Sequence, residues 1–398
     1  MIKEINSKIT EILERGTKEI IEKESLIKKL KSKKKLRIKH GIDPTTKDLH
    51  LGHAVIYFKL REFQEMGHQI IFLIGDFTAR FGDPTQKLVP RQLKSKKEVR
   101  ELAKDYLRQV GKILDLDKLE IRYNGEWYDK MSAEKLLNLM ANFTTARMLE
   151  REMFKKRMKE NLEIKLHEIV YPVLQAYDSV VLKSDLTVCG SDQIFNEIRA
   201  RELQEKFGQT PQDILAMKIL RGTDGKEKMS QSLGNYIKIE ENPIQQYGKI
   251  MSIPDHLILE YFELLTKIPL KEIEKMKMEM KEKKANPRDL KAKLAKEIVE
   301  IFHGKEKAKM AEKEFERVFR ERKYPSQIPQ VKIKEKRINI LDLLVKTNLA
   351  SSKSEAKRLV LQRGVKIDGV CQTDWRKILS LKSGQIIQVG KRKFRKIV

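Results

Sequence analysis

GIDPTTKDLHLGHAV, Gly41 to Val55, joins two elements of different period. Before it, LRIKH (36–40) alternates like a strand. After it, from about Gly52 to Met66, apolar Val55, Ile56, Phe58, Leu60 and Phe63 follow a helical pattern. Strand, loop and helix in that order predict an open parallel sheet, whose ligands lie beyond the carboxyl ends of its strands. The loop is built for that place. Gly41 lets a ligand approach the backbone, and Asp43-Pro44-Thr45 sets a turn. His50 and His53 are three residues apart at the start of the helix, so they share a face. Backbone N–H groups and the helix dipole favour an anion there, which makes two imidazole donors a candidate phosphate site. Capping or packing histidines are the plainer reading. No Glu lies between them and no third ligand clusters nearby, which argues against zinc.

The alternation continues outward. QIIFLIGDF (69–77) reads as a buried strand, 94–113 as a helix and LEIRYN (119–124) as a strand. Residues 132–168 read as helical, SDLTVCG (184–190) as a strand, and NEIRARELQEKF as the helix after it. Residues 1–35 read as one helix. The expected class is α/β with a parallel sheet. Beyond 235 the texture becomes helical and lysine-rich, with proline breaks at 243, 254, 269 and 287. A polar, Pro-broken linker is expected at 326–337, and a small α+β unit at 338–398.

The chain has 398 residues, 84 Lys+Arg against 57 Asp+Glu and a formal net charge of +27. A Lys/Glu-rich solvated surface explains many of these charges but not the imbalance, which points to a polyanion such as nucleic acid. Only Cys189 and Cys371 are present, which excludes a disulfide framework and suits a reducing cytoplasm. There is no run of 18 apolar residues and no apolar leader, so no membrane span is expected.

A second motif lies far downstream. GTDGKEKMSQSLGNY (222–236) is a Gly-rich loop with Lys226 and Lys228 beside serines, suited to closing over a polyphosphate. HLGH and KMSQS together resemble the HIGH and KMSKS signatures of the class I aminoacyl-tRNA synthetases. With LIGDFTARFGDPT, YPVLQAYDS and CGSDQIFN, the chain resembles the tyrosine–tRNA ligase family, in its longer bacterial subgroup, over nearly its whole length.

The resemblance implies a Rossmann-like catalytic domain at 1–235, with a dimerisation insertion near 130–170 and ANFTTARMLEREMF (141–154) at the dimer surface. It implies a helical anticodon-arm domain at 236–325 and a ribosomal S-four-type RNA-binding domain at 338–398. His50, His53, Lys228 and Thr45 then stabilise the transition state at the α-phosphate. Gly41, Asp43, Gly52 and Asp192 line the ATP site, with Lys87 and Arg91 as further cations. Tyr171, Gln175, Asp83, Gln193 and Asn124 hold the amino acid's ammonium, and Asp178 accepts its phenol proton. Tyr171, Gln175 and Asp178 follow i, i+4, i+7, so a helix puts them on one face. Lys353, Lys357, Arg358 and Arg363 are candidate RNA phosphate contacts, and Phe394 in KRKFRK (391–396) a candidate stacking residue. The implied substrates are ATP, arriving with Mg²⁺, L-tyrosine and tRNA(Tyr), acted on by a cytoplasmic homodimer. A tryptophan–tRNA ligase, or an RNA-binding protein derived from such a ligase, is the alternative.

Several positions depart from the family pattern. Lys39 stands where the shorter subgroup has a Tyr on the substrate phenol. Gln231 stands where the second motif lysine is usual, and a neutral amide cannot neutralise pyrophosphate. Gln86 and Arg80 depart in the loop expected near the phosphates. Cys189 replaces a frequent Gly and is expected to pack as a small hydrophobe.

Overall fold

The computed structural model describes residues 9–32, 34–83, 94–319, 324–326, 328–333, 335–390 and 393–398. Contacts divide the chain into two units, 1–312 and 313–398, and the division falls within the helix Lys305–Phe319.

The first unit is α/β. Its sheet holds β1 (Thr17–Ile21), β2 (Arg37–Ile42), β3 (Gln69–Ile74), β4 (Leu119–Tyr123), β5 (Leu186–Gly190) and β6 (Asp213–Met217). The order is β1-β6-β5-β2-β3-β4, parallel throughout except for β1. Ile70 to Ile74 and all of β6 are buried, as expected of strands covered by helices on both faces. From β2 the chain adds strands on one side, then crosses to β5 and builds on the other. The β2 and β5 ends therefore flank a topological switch point, where open sheets bind ligands.

Two sequence expectations fail here for physical reasons. Residues 1–35 are not one helix: 9–14 are helical, then β1 intervenes, then the helix Lys23–Lys31 begins. Gly16 turns the chain at φ 66°, and Ile20 and Ile21 find ladder partners in β6. Helical periodicity of the lysines and glutamates cannot report a partner about 200 residues away. Residues 132–168 are likewise broken, into Ala133–Met140, Thr145–Leu149 and Glu152–Lys159, and a new helix starts at Leu166. Ser132 and Thr144 cap the first two, and Asn161 ends the last segment in the left-handed region.

The prolines beyond 235 begin helices more often than they break them. Pro243 and Pro287 occupy first-turn positions of Pro243–Met251 and Pro287–His303, behind caps Asn242 and Asn286.

In the second unit, β7 (Gln330–Val331), β9 (Val365–Ile367), β10 (Val370–Gln372), β12 (Ile386–Val389) and β13 (Lys393–Ile397) form one sheet. β8 (Arg337–Asn339) pairs with β11 (Ile378–Ser380). The helices Ile340–Lys346 and Lys353–Leu361 pack on a core of Leu343, Leu344, Val360, Val365 and Ile387. β7 lies in the segment that reads as a linker. Phe394 is buried on β13, edge-on to Tyr324, and so is not available to stack on a base.

Candidate active site

A cleft of about 1450 Å³ opens over the carboxyl ends of β2 and β5. Asp178 lies in its depth, and His50, His53 and Lys228 line it near the loops.

The helix Leu166–Leu182 supplies the depth. Tyr171, Gln175 and Asp178 all line the cleft, as their spacing predicts. Asp178 is 3% exposed and accepts from Trp127 Nε1 at 3.0 Å and Asn124 Nδ2 at 3.4 Å. Burial lifts its carboxyl from 3.8 to about 7, although Lys39 and the N–H donors partly offset this. The structure places Asn124, expected at the ammonium, in the cleft lining against Asp178. Asn124 also donates to Thr78 Oγ1 at 2.9 Å and accepts from the Phe77 N–H at 2.9 Å, so its amide has one orientation. Trp127, which sequence reading missed, lies three residues beyond Asn124, but nothing in that spacing aims the indole at Asp178.

Tyr171 donates its hydroxyl to Asp43 at 2.9 Å, and Thr78 donates to the other Asp43 oxygen at 2.8 Å. Burial and the Asp43 charge hold the Tyr171 phenol well above its usual range, so it remains a donor. Gly75 makes this cluster possible: a Cβ there would lie 2.0 Å from Asp43 Oδ1. Asp83 accepts from Gln193 Nε2 at 2.8 Å and faces Arg151 at 3.4 Å. Thr45, Gly41 and Gly52 line the cleft. Lys87 and Arg91 lie outside the described residues, as does Gln86.

The two histidines cap the helix Leu51–Glu65 and serve the site at once. His50 Nδ1 accepts from the Gly52 N–H, and His53 Nδ1 from the His50 N–H, each at 3.2 Å. Burial, then His53 and Lys228, push His50 well below its usual 6.5. Burial and then His40 push His53 down to about 4. Both rings are therefore neutral at pH 7. With each Nδ1 an acceptor, the proton sits on Nε2, and each ring offers one Nε2–H donor.

The two distant motifs meet. The Leu51 N–H donates to Ile237 O and the Ile239 N–H to Leu49 O, both at 3.0 Å. Lys228 Nζ lies 3.4 Å from Asp192 Oδ2. Gln231 Nε2 donates to Thr46 Oγ1 at 2.9 Å and to the Asp48 carbonyl. The amide that adds no charge therefore ties one loop to the other. Asn235 staples the loop from within, accepting from the Ser230 N–H at 2.8 Å and donating to Asp224 at 2.6 Å.

The remaining departures resolve locally. Cys189 is buried beside Ile214 and Ala216, as a small hydrophobe. Arg80 turns to Asp129 at 3.0 Å and over the Phe77 ring at 4.3 Å. Among the described residues it braces the scaffold. Lys39 is buried and bonds to Ser179 and Glu197. In the second unit Lys353, Lys357, Arg358 and Arg363 are all exposed. Lys353 pairs with Asp342 at 2.6 Å, and Lys357 lies 4.2 Å over the Trp375 ring. Among the described residues no His/Cys/Asp/Glu group gathers as a metal site, and no helix is long and apolar enough to cross a membrane.

Comparison with known proteins matches this geometry to a family. The family described as tRNA synthetases class I (W and Y) matches residues 31–320. The tyrosine–tRNA ligase SYY-like C-terminal domain matches 321–397. The chain belongs to the class I tRNA synthetases of the tryptophan and tyrosine type, and within them to the tyrosine–tRNA ligase family. It is 50% identical to a Thermotoga maritima tyrosine–tRNA ligase over 97% of this chain and 96% of that one. The Aquifex aeolicus tyrosine–tRNA ligase is 45% identical, with 97% of each chain covered. The crystal structure of an Archaeoglobus fulgidus tyrosyl-tRNA synthetase complexed with L-tyrosine is similar at a TM-score of 0.62 and 26% identity, covering 77% of this chain and 99% of that one.

Proposed function

We propose that this chain activates L-tyrosine with ATP and transfers it to the 3′ terminal adenosine of tRNA(Tyr). The observation that carries this reading is a single cleft. It joins a buried carboxylate ringed by N–H donors to two Nε2–H imidazoles and a lysine loop.

The tyrosine phenol donates to Asp178, whose lost hydration is only partly replaced by Trp127 and Asn124. A phenylalanine ring leaves that carboxylate short of a partner, and a buried unsatisfied group is costly. Asp83, Gln175, Gln193 and the Tyr171 hydroxyl take the ammonium. Gly41, Asp43 and Asp192 receive the adenosine. The tyrosine carboxylate then attacks the α-phosphorus in line, forming the acyl–phosphate bond as the bond to pyrophosphate breaks. His50 and His53 donate Nε2–H to the phosphate oxygens, and Lys228 leaves Asp192 to meet the developing charge, with Thr45 beside them. No side-chain nucleophile is needed: positioning and charge stabilisation suffice. A terminal ribose hydroxyl of tRNA then attacks the acyl carbon and AMP departs. Mg²⁺ would be held by the ATP phosphate oxygens and would supply charge neutralisation there. Lysine and imidazole donors at the loops, without a clustered carboxylate cage, fit a metal held by phosphate oxygens.

In this reading 1–235 is catalytic, 236–325 contacts the anticodon arm, and 338–398 binds RNA through Lys353, Lys357, Arg358 and Arg363. The enzyme is a cytoplasmic homodimer joined through the 130–170 region, where Leu137 and Leu166 are exposed at 63% and 81%. The test is amino-acid-dependent ATP–pyrophosphate exchange with tyrosine, tryptophan and phenylalanine in parallel. Exchange with tyrosine alone is expected. No exchange with any of the three, from folded protein that still binds tRNA, overturns the catalytic reading.

A further inference from the structure

The cleft wall also holds a buried ion pair to which the chemistry above gives no catalytic role. Lys39 and Glu197 side chains are 2% and 3% exposed. Lys39 Nζ reaches both Glu197 oxygens, at 2.9 and 3.1 Å, and gives its third proton to Ser179 Oγ at 2.6 Å. Glu197 accepts twice more, from Gln175 Nε2 and from Gln212 Nε2, each at 2.7 Å.

A carboxylate can only accept, so Glu197 dictates which end of the Gln175 amide faces it. The consequence propagates. With its NH₂ turned to Glu197, Gln175 presents Oε1, which accepts from Asn196 Nδ2 at 2.7 Å. The same Asn196 NH₂ donates to Gln193 Oε1 at 3.1 Å. Gln193 in turn points its own NH₂ at Asp83, 2.8 Å away. Two carboxylates at the ends and one bridging amide thus fix both glutamines with their oxygens together. An acceptor cluster beside Asp83 is what an ammonium group requires. The reverse orientation would present NH₂ dipoles to a cation.

We propose that Glu197, its charge balanced by Lys39, is a positioning residue that sets the polarity of the Gln175–Asn196–Gln193 amide relay and thereby the enzyme's recognition of the α-ammonium of its amino acid. This rests on the reading of Gln175 as an ammonium contact. The relay also gives a buried pair a purpose. Such pairs are seldom worth their desolvation cost as stabilisers, whereas they can specify one arrangement among several.

The test compares binding of L-tyrosine with that of 3-(4-hydroxyphenyl)propionate, which keeps the phenol and carboxylate but lacks the ammonium. Lys39→Met/Glu197→Gln removes both charges together, so no buried charge is left unpaired. The amide that then replaces the Glu197 carboxylate has one acceptor end for two amide donors. Gln212 is anchored elsewhere, because its oxygen accepts from Ser184 at 2.5 Å. Gln175 therefore loses its fixed orientation. The preference for tyrosine over the deaminated analogue should fall about ten- to hundredfold, the worth of a hydrogen bond to a charged group. Lys39 also acts on Asp178, the phenol acceptor for both ligands, so the readout is the ratio of the two affinities rather than either alone. KM for tyrosine should rise more than the dissociation constant of the analogue, with little change in kcat for pyrophosphate exchange. Gln175→Met should lower the preference similarly. Combining it with Lys39→Met/Glu197→Gln should add nothing further, because both act through one amide. An unchanged preference in Lys39→Met/Glu197→Gln while Gln175→Met loses it overturns the relay and leaves the ammonium reading standing. Additive losses, or equal weakening of both ligands, also overturn the relay. An unchanged preference in Gln175→Met overturns the ammonium reading, and the relay with it.

Discussion

Replacing Asp178 by Asn should stabilise the free enzyme while disabling it. Asp178 is 3% exposed, and burial lifts its carboxyl from 3.8 to about 7. The folded protein therefore holds this proton more tightly than the unfolded chain does. The resulting stability is fully present below pH 3.8 and is lost as pH rises through about 7. Such a displacement corresponds to on the order of 4 kcal/mol in total. Asn has no proton to lose. Its single oxygen keeps one of the donors, Trp127 or Asn124, and its NH₂ faces the other, at a cost of about 1–2 kcal/mol at every pH. Near pH 5 the two proteins should be of similar stability. By pH 8 the gap should have widened in the variant's favour by roughly 2–3 kcal/mol. The assay is the first urea transition across pH 5–8 without tyrosine, since a multi-domain chain need not unfold in one step. The same variant should lose its preference for tyrosine over phenylalanine in pyrophosphate exchange. A stability gap that does not change with pH would refute the assignment of a strained buried carboxylate at the phenol end of the cleft.

Gln231→Lys should raise the rate of tyrosyl-adenylate formation, because it adds a cation near the departing pyrophosphate while still reaching the Asp48 carbonyl; an unchanged single-turnover rate sinks this. Arg157 and Glu168 form a buried bidentate pair at 2.9 and 3.0 Å, and Arg157 also bonds the Glu163 carbonyl. Arg157→Met should cost about 3–5 kcal/mol by stranding the carboxylate, and Arg157→Met/Glu168→Met should recover most of it; denaturant midpoints decide, and equal losses in both variants refute the pairing argument. Combined replacement of Lys353, Lys357, Arg358 and Arg363 by Ala should weaken tRNA binding and flatten its salt dependence, leaving pyrophosphate exchange intact. An unaltered salt slope in a filter-binding titration removes these residues from the RNA surface.

Local sequence was enough for the core of the parallel sheet and for placing its loops at the cleft. Apolar runs such as QIIFLI must be buried, and a strand followed by GIDPTTKDLH and a helix can be wound in few ways. That His50, His53, Lys228 and the Tyr171–Gln175–Asp178 face share one cleft was legible because each depends on spacing along one element or on a short motif that resembles a known family's. What tertiary structure alone decided involves partners remote in the chain. β1 exists because β6 is there to pair with it, and Gln231 is a tether because Thr46 and Asp48 lie opposite. Trp127 and Asn124 become donors to Asp178 because β4 ends beside the helix that carries the acid. The tautomers of His50 and His53, and the direction of the Gln175 amide, follow from hydrogen bonds that form only when the chain is folded. Residue type states which groups can donate, accept or carry charge. Burial and the far side of each contact decide which of those capacities is used.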